Sequence, residues 1–243
     1  MRRRAELTIA HGDRIIAPSE RTGDGLSWNV ILFDMDGTLS DSGIGITLCA
    51  HYALTEMGFP VGEPASLRYF VGPPLEESFT QRHGMDAAQT QEAIRLFRER
   101  YAEKGICEHA PYPGVPEMLR RLHGAGKCLC VASSKPRIYA ERILESYGVR
   151  DCFTEVMGSE LDGRFGTKTL VLEELLRRLH MDGSMKARTV MVGDRHYDVE
   201  GAHDLGLKCI AVEYGYAEPG ELTQADLRVP TVAALEKLLL AGE

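Results

Sequence analysis

VILFDMDGTLSDS, residues 30–42, is the stretch on which the reading of this chain turns. Its apolar run, Val30 to Phe33, stops abruptly in Asp34 and Asp36, with Gly37 and Thr38 directly behind. Aspartate and glycine also mark ordinary turns. The pair therefore gains meaning only from what the other strand-like runs end in.

KCLCVA (127–132) ends in Ser133-Ser134-Lys135, and Pro136 opens a helical pattern. FTEVMGS (153–159) leads through ELDGRFG to Lys168, where the helix of TLVLEELLRRLH starts. TVMVGD (189–194) continues as GDRHYD, supplying Asp194 and Asp198 ahead of a helix through Leu205. KCIAV (208–212) is followed by a short tail, and VAALEKLLL (232–240) reads as a final helix. Short continuous apolar runs alternating with helices predict an α/β protein with a parallel sheet covered on both faces.

One connection is too long for a simple crossover. Roughly ninety residues separate the first run from the second, where about a dozen suffice. The stretch 43–105 is helical in pattern (GIGITLCAHYALTEMG, PPLEESFTQRHG, AAQTQEAIRLFRERYAEKG) and is punctuated by Pro60, Gly62, Pro64 and Gly72-Pro73-Pro74. The expected organisation is a polar extension over 1–28, a sheet domain over 29–42 and 110–243, and a small α-helical domain over 43–109. Gly72, Pro73 and Pro74 are expected to form its loop toward the ligand.

The bulk numbers narrow the class. With 243 residues, 44% hydrophobic and 26% charged, the chain can bury a sizeable core. A net charge of −8 argues against a nucleic-acid polymer as partner, since phosphate backbones need basic surfaces. A small phosphorylated ligand needs only a few local cations. The six cysteines form no CxxC pair, which points to reduced thiols and a cytoplasmic setting. No apolar run has transmembrane length. The start, MRRRAELTIAHGDR, lacks the apolar core of a signal peptide.

In an open parallel sheet, ligands bind at the carboxyl ends of the strands near the switch in strand order. Here those ends carry acidic groups, a hydroxyl and a lysine, a set suited to phosphoryl transfer. Mg²⁺ takes hard oxygen ligands. Asp34 and Asp194 offer carboxylates, and Asp36 offers its backbone carbonyl. Asp34 can attack phosphorus and form an aspartyl-phosphate. Ser133, Lys168 and the amides around Met35-Asp36 can receive the charge on the transferred group. Asp36 can protonate the leaving oxygen and then deprotonate water. Gly37 lets the backbone pass close by. Gly37, Thr38 and Ser134 are counted with the phosphate-binding residues. Plainer readings exist: Ser133 as a helix cap, Lys168 as a solvated surface lysine, His196 as an exposed loop histidine.

DMDGT, the Ser133 strand end, Lys168 and GDxxxD together resemble the four motifs of the haloacid dehalogenase superfamily, over about residues 29–240. The insertion resembles the helical cap of its subfamily I. VGPPLEESF, PYPGV, SSKP, GSELDGR and VGDRHYDVEGA resemble its phosphoglycolate phosphatase-like and 5′-nucleotidase-like branch. The resemblance implies a Rossmann-like doubly wound core and a Mg²⁺-dependent phosphomonoesterase whose cap closes over substrate. It implies Asp34 as nucleophile, Asp36 as acid/base, Ser133 and Lys168 on the phosphoryl group, and Asp194 as metal ligand. Asp198 is implied to be a ligand through water or an orienter of Lys168. The expected substrate is a small phosphomonoester, with nucleoside 5′-monophosphates favoured and 2-phosphoglycolate as the alternative. A phosphomutase and a non-catalytic binding protein on the same fold are more remote. Dehalogenases of the superfamily need neither the second aspartate nor the metal, so Asp36 argues against that chemistry. The oligomeric state is expected to be monomer or homodimer.

Overall fold

The computed structural model describes residues 28–241. The extension read from the sequence therefore lies outside the described residues, apart from Trp28. That indole is 3% exposed and belongs to the core, so the packed chain begins one residue before the expected boundary.

The central sheet has six strands, all parallel: β1 (Val30–Phe33), β4 (Cys128–Pro136), β5 (Phe153–Ser159), β6 (Thr189–Gly193), β7 (Lys208–Val212) and β8 (Leu227–Val229). Their order across the sheet is β5-β4-β1-β6-β7-β8. The chain builds outward from β1 on one side and then on the other, so the strand order reverses beside β1. That is the doubly wound arrangement the sequence predicts, with the ligand crevice placed at the carboxyl end of β1. A short separate ribbon pairs β2 (Ser40–Asp41) antiparallel with β3 (Ala110–Pro111), tying together the two crossings between sheet and insertion.

Every residue of β1 is buried, and its side chains alternate between the faces. Ile31 and Phe33 pack toward α4 (Val115–Gly124), α5 (Arg137–Ser146) and α9 (Val232–Leu240). Val30 and Leu32 pack toward α6 (Lys168–Arg178) and α8 (His196–Asp204). This is why the strand reads as a continuous apolar run rather than an alternating one. A further short helix, α7 (Gly183–Lys186), precedes β6.

Between β2 and β3 the chain forms α1 (Gly43–Glu56), a 3-10 segment (Pro64–Phe70), α2 (Leu75–His83) and α3 (Ala87–Glu103). Local sequence sets these limits. Asp86 and Gln89 form a reciprocal capping box that starts α3, and Gly84, at φ +63°, ends α2 in the left-handed region. The apolar faces of these helices join the same cluster that covers the β1 face, through Ile46, Leu54, Phe70, Phe79, Phe97 and Tyr101.

Two sequence expectations need correction. β4 does not stop before the serines; it continues through Ser133, Ser134 and Lys135 to Pro136, pairing with β5 across an irregular register. The "short tail" after β7 contains the edge strand β8, three residues that pair with Ile210–Val212 and are ended by Pro230. Three residues are too few to show a period.

Candidate active site

The carboxyl end of β1 delivers Asp34, whose N–H donates to the Val192 carbonyl of β6 at 2.9 Å. The chain then turns tightly. The Met35 carbonyl accepts the N–H groups of Leu39 and Ser40 at 3.0 and 2.9 Å, and Gly37 N–H donates to Ser40 at 2.8 Å. Gly37 sits at φ +84°, and a Cβ there would lie 2.1 Å from Asp194 Oδ2. Only glycine allows this turn to pass so close to the second carboxylate. The same holds from the other side at Gly193, where a Cβ would lie 2.1 Å from Asp198 Cγ.

Asp34, Asp194 and Asp198 converge, each offering an oxygen within 4.8 Å of the others, and all three are buried. Lys168, the first residue of α6, reaches into this group. Its Nζ lies 2.8 Å from Asp34 Oδ1 and 2.7 Å from Asp198 Oδ1, and it donates to the Ala132 carbonyl at 2.9 Å. It is 5% exposed, so the surface-lysine reading fails. Burial alone would pull its pKa down, but the Asp198 and Asp34 charges hold it above the ordinary lysine value. Three carboxylates face one ammonium, and the excess negative charge shows in the acids. Burial, then Asp198 and Asp34, pushes Asp194 well above the usual carboxylate range. Asp198 is raised to about 6 by burial and by Asp34, partly offset by Lys168. Hard oxygen donors with uncompensated negative charge fit a divalent cation such as Mg²⁺.

The remaining groups are fixed around this centre. Asp194 Oδ2 accepts the Tyr216 N–H at 2.7 Å, and Thr38 Oγ1 donates to Asp194 Oδ1 at 3.3 Å. Thr38, fully buried, thus orients Asp194 through its hydroxyl. Asp198 Oδ2 accepts the Arg195 N–H at 3.1 Å. Ser133 Oγ accepts the Lys135 N–H at 3.2 Å, and the helix cap before α5 is Pro136, so the capping role considered for Ser133 does not apply.

Asp36 stands apart from the acidic trio. Both of its oxygens accept from Lys135 Nζ, at 2.8 and 2.9 Å. Lys135 was missed as a site residue in the sequence, although it follows Ser133 by two positions. His196 is half-buried at the start of α8, with Nδ1 2.7 Å from Glu221, rather than a free loop histidine. Arg195 bonds Glu221 at 2.7 Å and the Val71 carbonyl, holding the loop that carries Gly72.

That loop borders a cavity of about 250 Å³ between the sheet ends and the helical insertion. Gly72, Pro73 and Pro74 line it together with Asp36, Ser134 and Lys135. One face of α3 forms a wall: Gln91, Ile94, Phe97, Arg98 and Tyr101 recur at helical spacing.

The chain is 40% identical over 193 residues to a protein of Pseudomonas aeruginosa named 5′-nucleotidase, covering 79% of this chain and 86% of that one. It is 35% identical to tyrosine-protein kinase PtkA of Mycobacterium tuberculosis, covering 86% and 70%. A phosphoglycolate phosphatase of Vibrio vulnificus is 28% identical, with 88% and 96% covered. Among solved structures, a predicted phosphatase from Clostridium acetobutylicum superposes with a TM-score of 0.84 at 36% identity, covering 88% of this chain and 99% of that one. The family description "haloacid dehalogenase-like hydrolase" matches residues 31–212, which takes in every one of the four strand ends described above. The chain belongs to the haloacid dehalogenase-like hydrolases and is a phosphatase.

Proposed function

We propose that this phosphatase hydrolyses small organic phosphomonoesters, nucleoside 5′-monophosphates above others, through a phosphorylated Asp34. The observation that carries the reading is the convergence of Asp34, Asp194, Asp198 and Lys168 at one sheet edge. The relatives' names differ in acceptor and substrate, but phosphoryl transfer is common to all of them.

In this reading Asp34 attacks phosphorus, the bond to the leaving oxygen breaks, and Asp36 gives that oxygen a proton. Water then attacks phosphorus, its proton passes to Asp36, and the bond to Asp34 breaks to release inorganic phosphate. Ser133, Ser134, Lys168 and the backbone at Gly37 hold the phosphoryl oxygens. Mg²⁺, held by Asp34, Asp194, Asp198 and the Asp36 carbonyl, would supply positive charge against which an anionic phosphate can meet a carboxylate. The helical insertion would serve as a cap that excludes bulk water. None of the six cysteines, all among the described residues, is joined in a disulfide, and five are buried, consistent with a reducing cytoplasm. No helix among the described residues is long and apolar enough to cross a membrane.

The cavity favours the larger leaving group. From Tyr101 to Gln91 the lining face of α3 runs about 15 Å along the helix axis. It carries Phe97 and Ile94, apolar surface for which a glycolate has no use. The second reading, 2-phosphoglycolate, draws on Arg98, a cation lining the same cavity that could meet a carboxylate. Phosphate release from nucleoside 5′-monophosphates, 2-phosphoglycolate, sugar phosphates and an aryl phosphate, with Mg²⁺ and with chelator, tests the proposal. Nucleotides giving the highest kcat/KM support the first reading. 2-Phosphoglycolate giving it supports the second, and metal-independent turnover contradicts both.

A further inference from the structure

Lys135 is the least explained charge at this site. It is 7% exposed, and its ammonium is turned away from the acidic trio that Lys168 serves. Its Nζ spans both oxygens of Asp36 and lies 4.8 Å from the centre of the Tyr101 ring, on α3 of the insertion. Tyr101 is itself 3% exposed, stacked on Phe97 at 5.9 Å and edge-on to Tyr139 at 5.0 Å. The two-oxygen contact removes the freedom of the Asp36 carboxyl to rotate. The aromatic cover closes Lys135 off on the remaining side. So placed, Lys135 has little capacity left for a substrate phosphate.

We propose that Lys135 is a positioning residue: it fixes the Asp36 carboxyl in the orientation from which Asp36 exchanges a proton with the leaving oxygen and with water. Tyr101 makes this orientation depend on the insertion being seated. The inference rests on the reading of Asp36 given above. It differs from it by assigning the orientation to a residue outside the four motifs.

An aryl phosphate isolates the effect. Nitrophenolate leaves without needing a proton, so its first release from p-nitrophenyl phosphate depends on Asp34 and not on Asp36. The second step forms the water oxygen–phosphorus bond, breaks the Asp34 oxygen–phosphorus bond and moves a proton from water to Asp36. Rapid mixing therefore separates the two. In Lys135→Met, the first turnover should stay within a few-fold of wild type while steady-state release falls on the order of 10²-fold.

The double variant Asp36→Asn/Lys135→Met removes both charges and so avoids stranding one inside the protein. Its steady state should match that of Asp36→Asn alone, because Lys135 then has nothing to position. If both phases fall together in Lys135→Met, or if the double variant is slower than Asp36→Asn by the factor seen in the single, Lys135 does not act through Asp36. A wild type that releases no nitrophenolate with Mg²⁺ would overturn the proposed phosphomonoesterase chemistry along with this inference. Normal release in wild type and Lys135→Met alike would overturn the inference alone.

Discussion

Replacing Lys168 by Met should destabilise the metal-free protein by an amount the site itself limits. The ammonium lies between Asp34 and Asp198, with side chains 4%, 5% and 1% exposed. Losing one partner of a buried ion pair typically costs about 3–5 kcal/mol. There is also a ceiling, because a stranded carboxylate can take up a proton. Asp198 is already raised in the wild type, so one further carboxyl is stranded; neutralising it at pH 7 from an ordinary value of about 3.9 costs (7.0 − 3.9) × 1.36, or about 4 kcal/mol. The two estimates agree. For a protein of this length, 4 kcal/mol corresponds to a fall in Tm of roughly 8–16 °C.

The pH dependence has a definite sign. Without Lys168 the folded-state carboxyl is raised above its unfolded value, so stability is present below the unfolded value and is lost as pH rises. At pH 5 the same arithmetic gives about 1.5 kcal/mol, so the gap should narrow to about a third. Thermal melts of both proteins in chelator, at pH 7 and pH 5, measure it. A gap below about 3 °C at pH 7, or one equally wide at pH 5, would refute the reasoning.

Two further perturbations probe the surroundings. Gly37→Ala forces a Cβ into a φ of +84°, 2.1 Å from Asp194 Oδ2, adding about 1–2 kcal/mol of backbone strain and displacing that carboxylate. Turnover should fall on the order of 10²-fold, and unchanged kinetics would contradict the close approach. His83 lies among Phe59, Tyr69, Phe70 and Phe79, with Nε2 2.9 Å from Tyr69 Oη, and desolvation lowers its pKa. Its contribution should be complete above the ordinary histidine range and be lost as pH falls through it. His83→Gln should flatten that part of the Tm-against-pH curve, and an unaltered curve would show that another group is responsible.

The sheet was legible because its strands are buried on both faces, so VILF and TVMVG stand out as unbroken apolar runs. The acidic trio and Lys168 were legible for a related reason: each sits at a strand end or at the start of the following helix, where the topology must bring them together. What escaped were pairings made by direction rather than position. Nothing in SSKP tells that the lysine turns to Asp36 while the preceding serine carbonyl accepts from Ser159. Nothing beside Gly37 tells that the Thr38 hydroxyl donates to Asp194, 156 residues away in the chain. His196 looked exposed because its partner, Glu221, comes from a loop with no periodic signal.

In the proposed reaction phosphorus bonds transiently to Asp34. Acid quenching during turnover of a radiolabelled phosphomonoester with Mg²⁺, followed by peptide mapping, tests it most directly. Label should appear on the peptide containing Asp34 in wild type, more of it in Asp36→Asn, and none in Asp34→Asn. Label absent in every case despite turnover, or retained in Asp34→Asn, would contradict it.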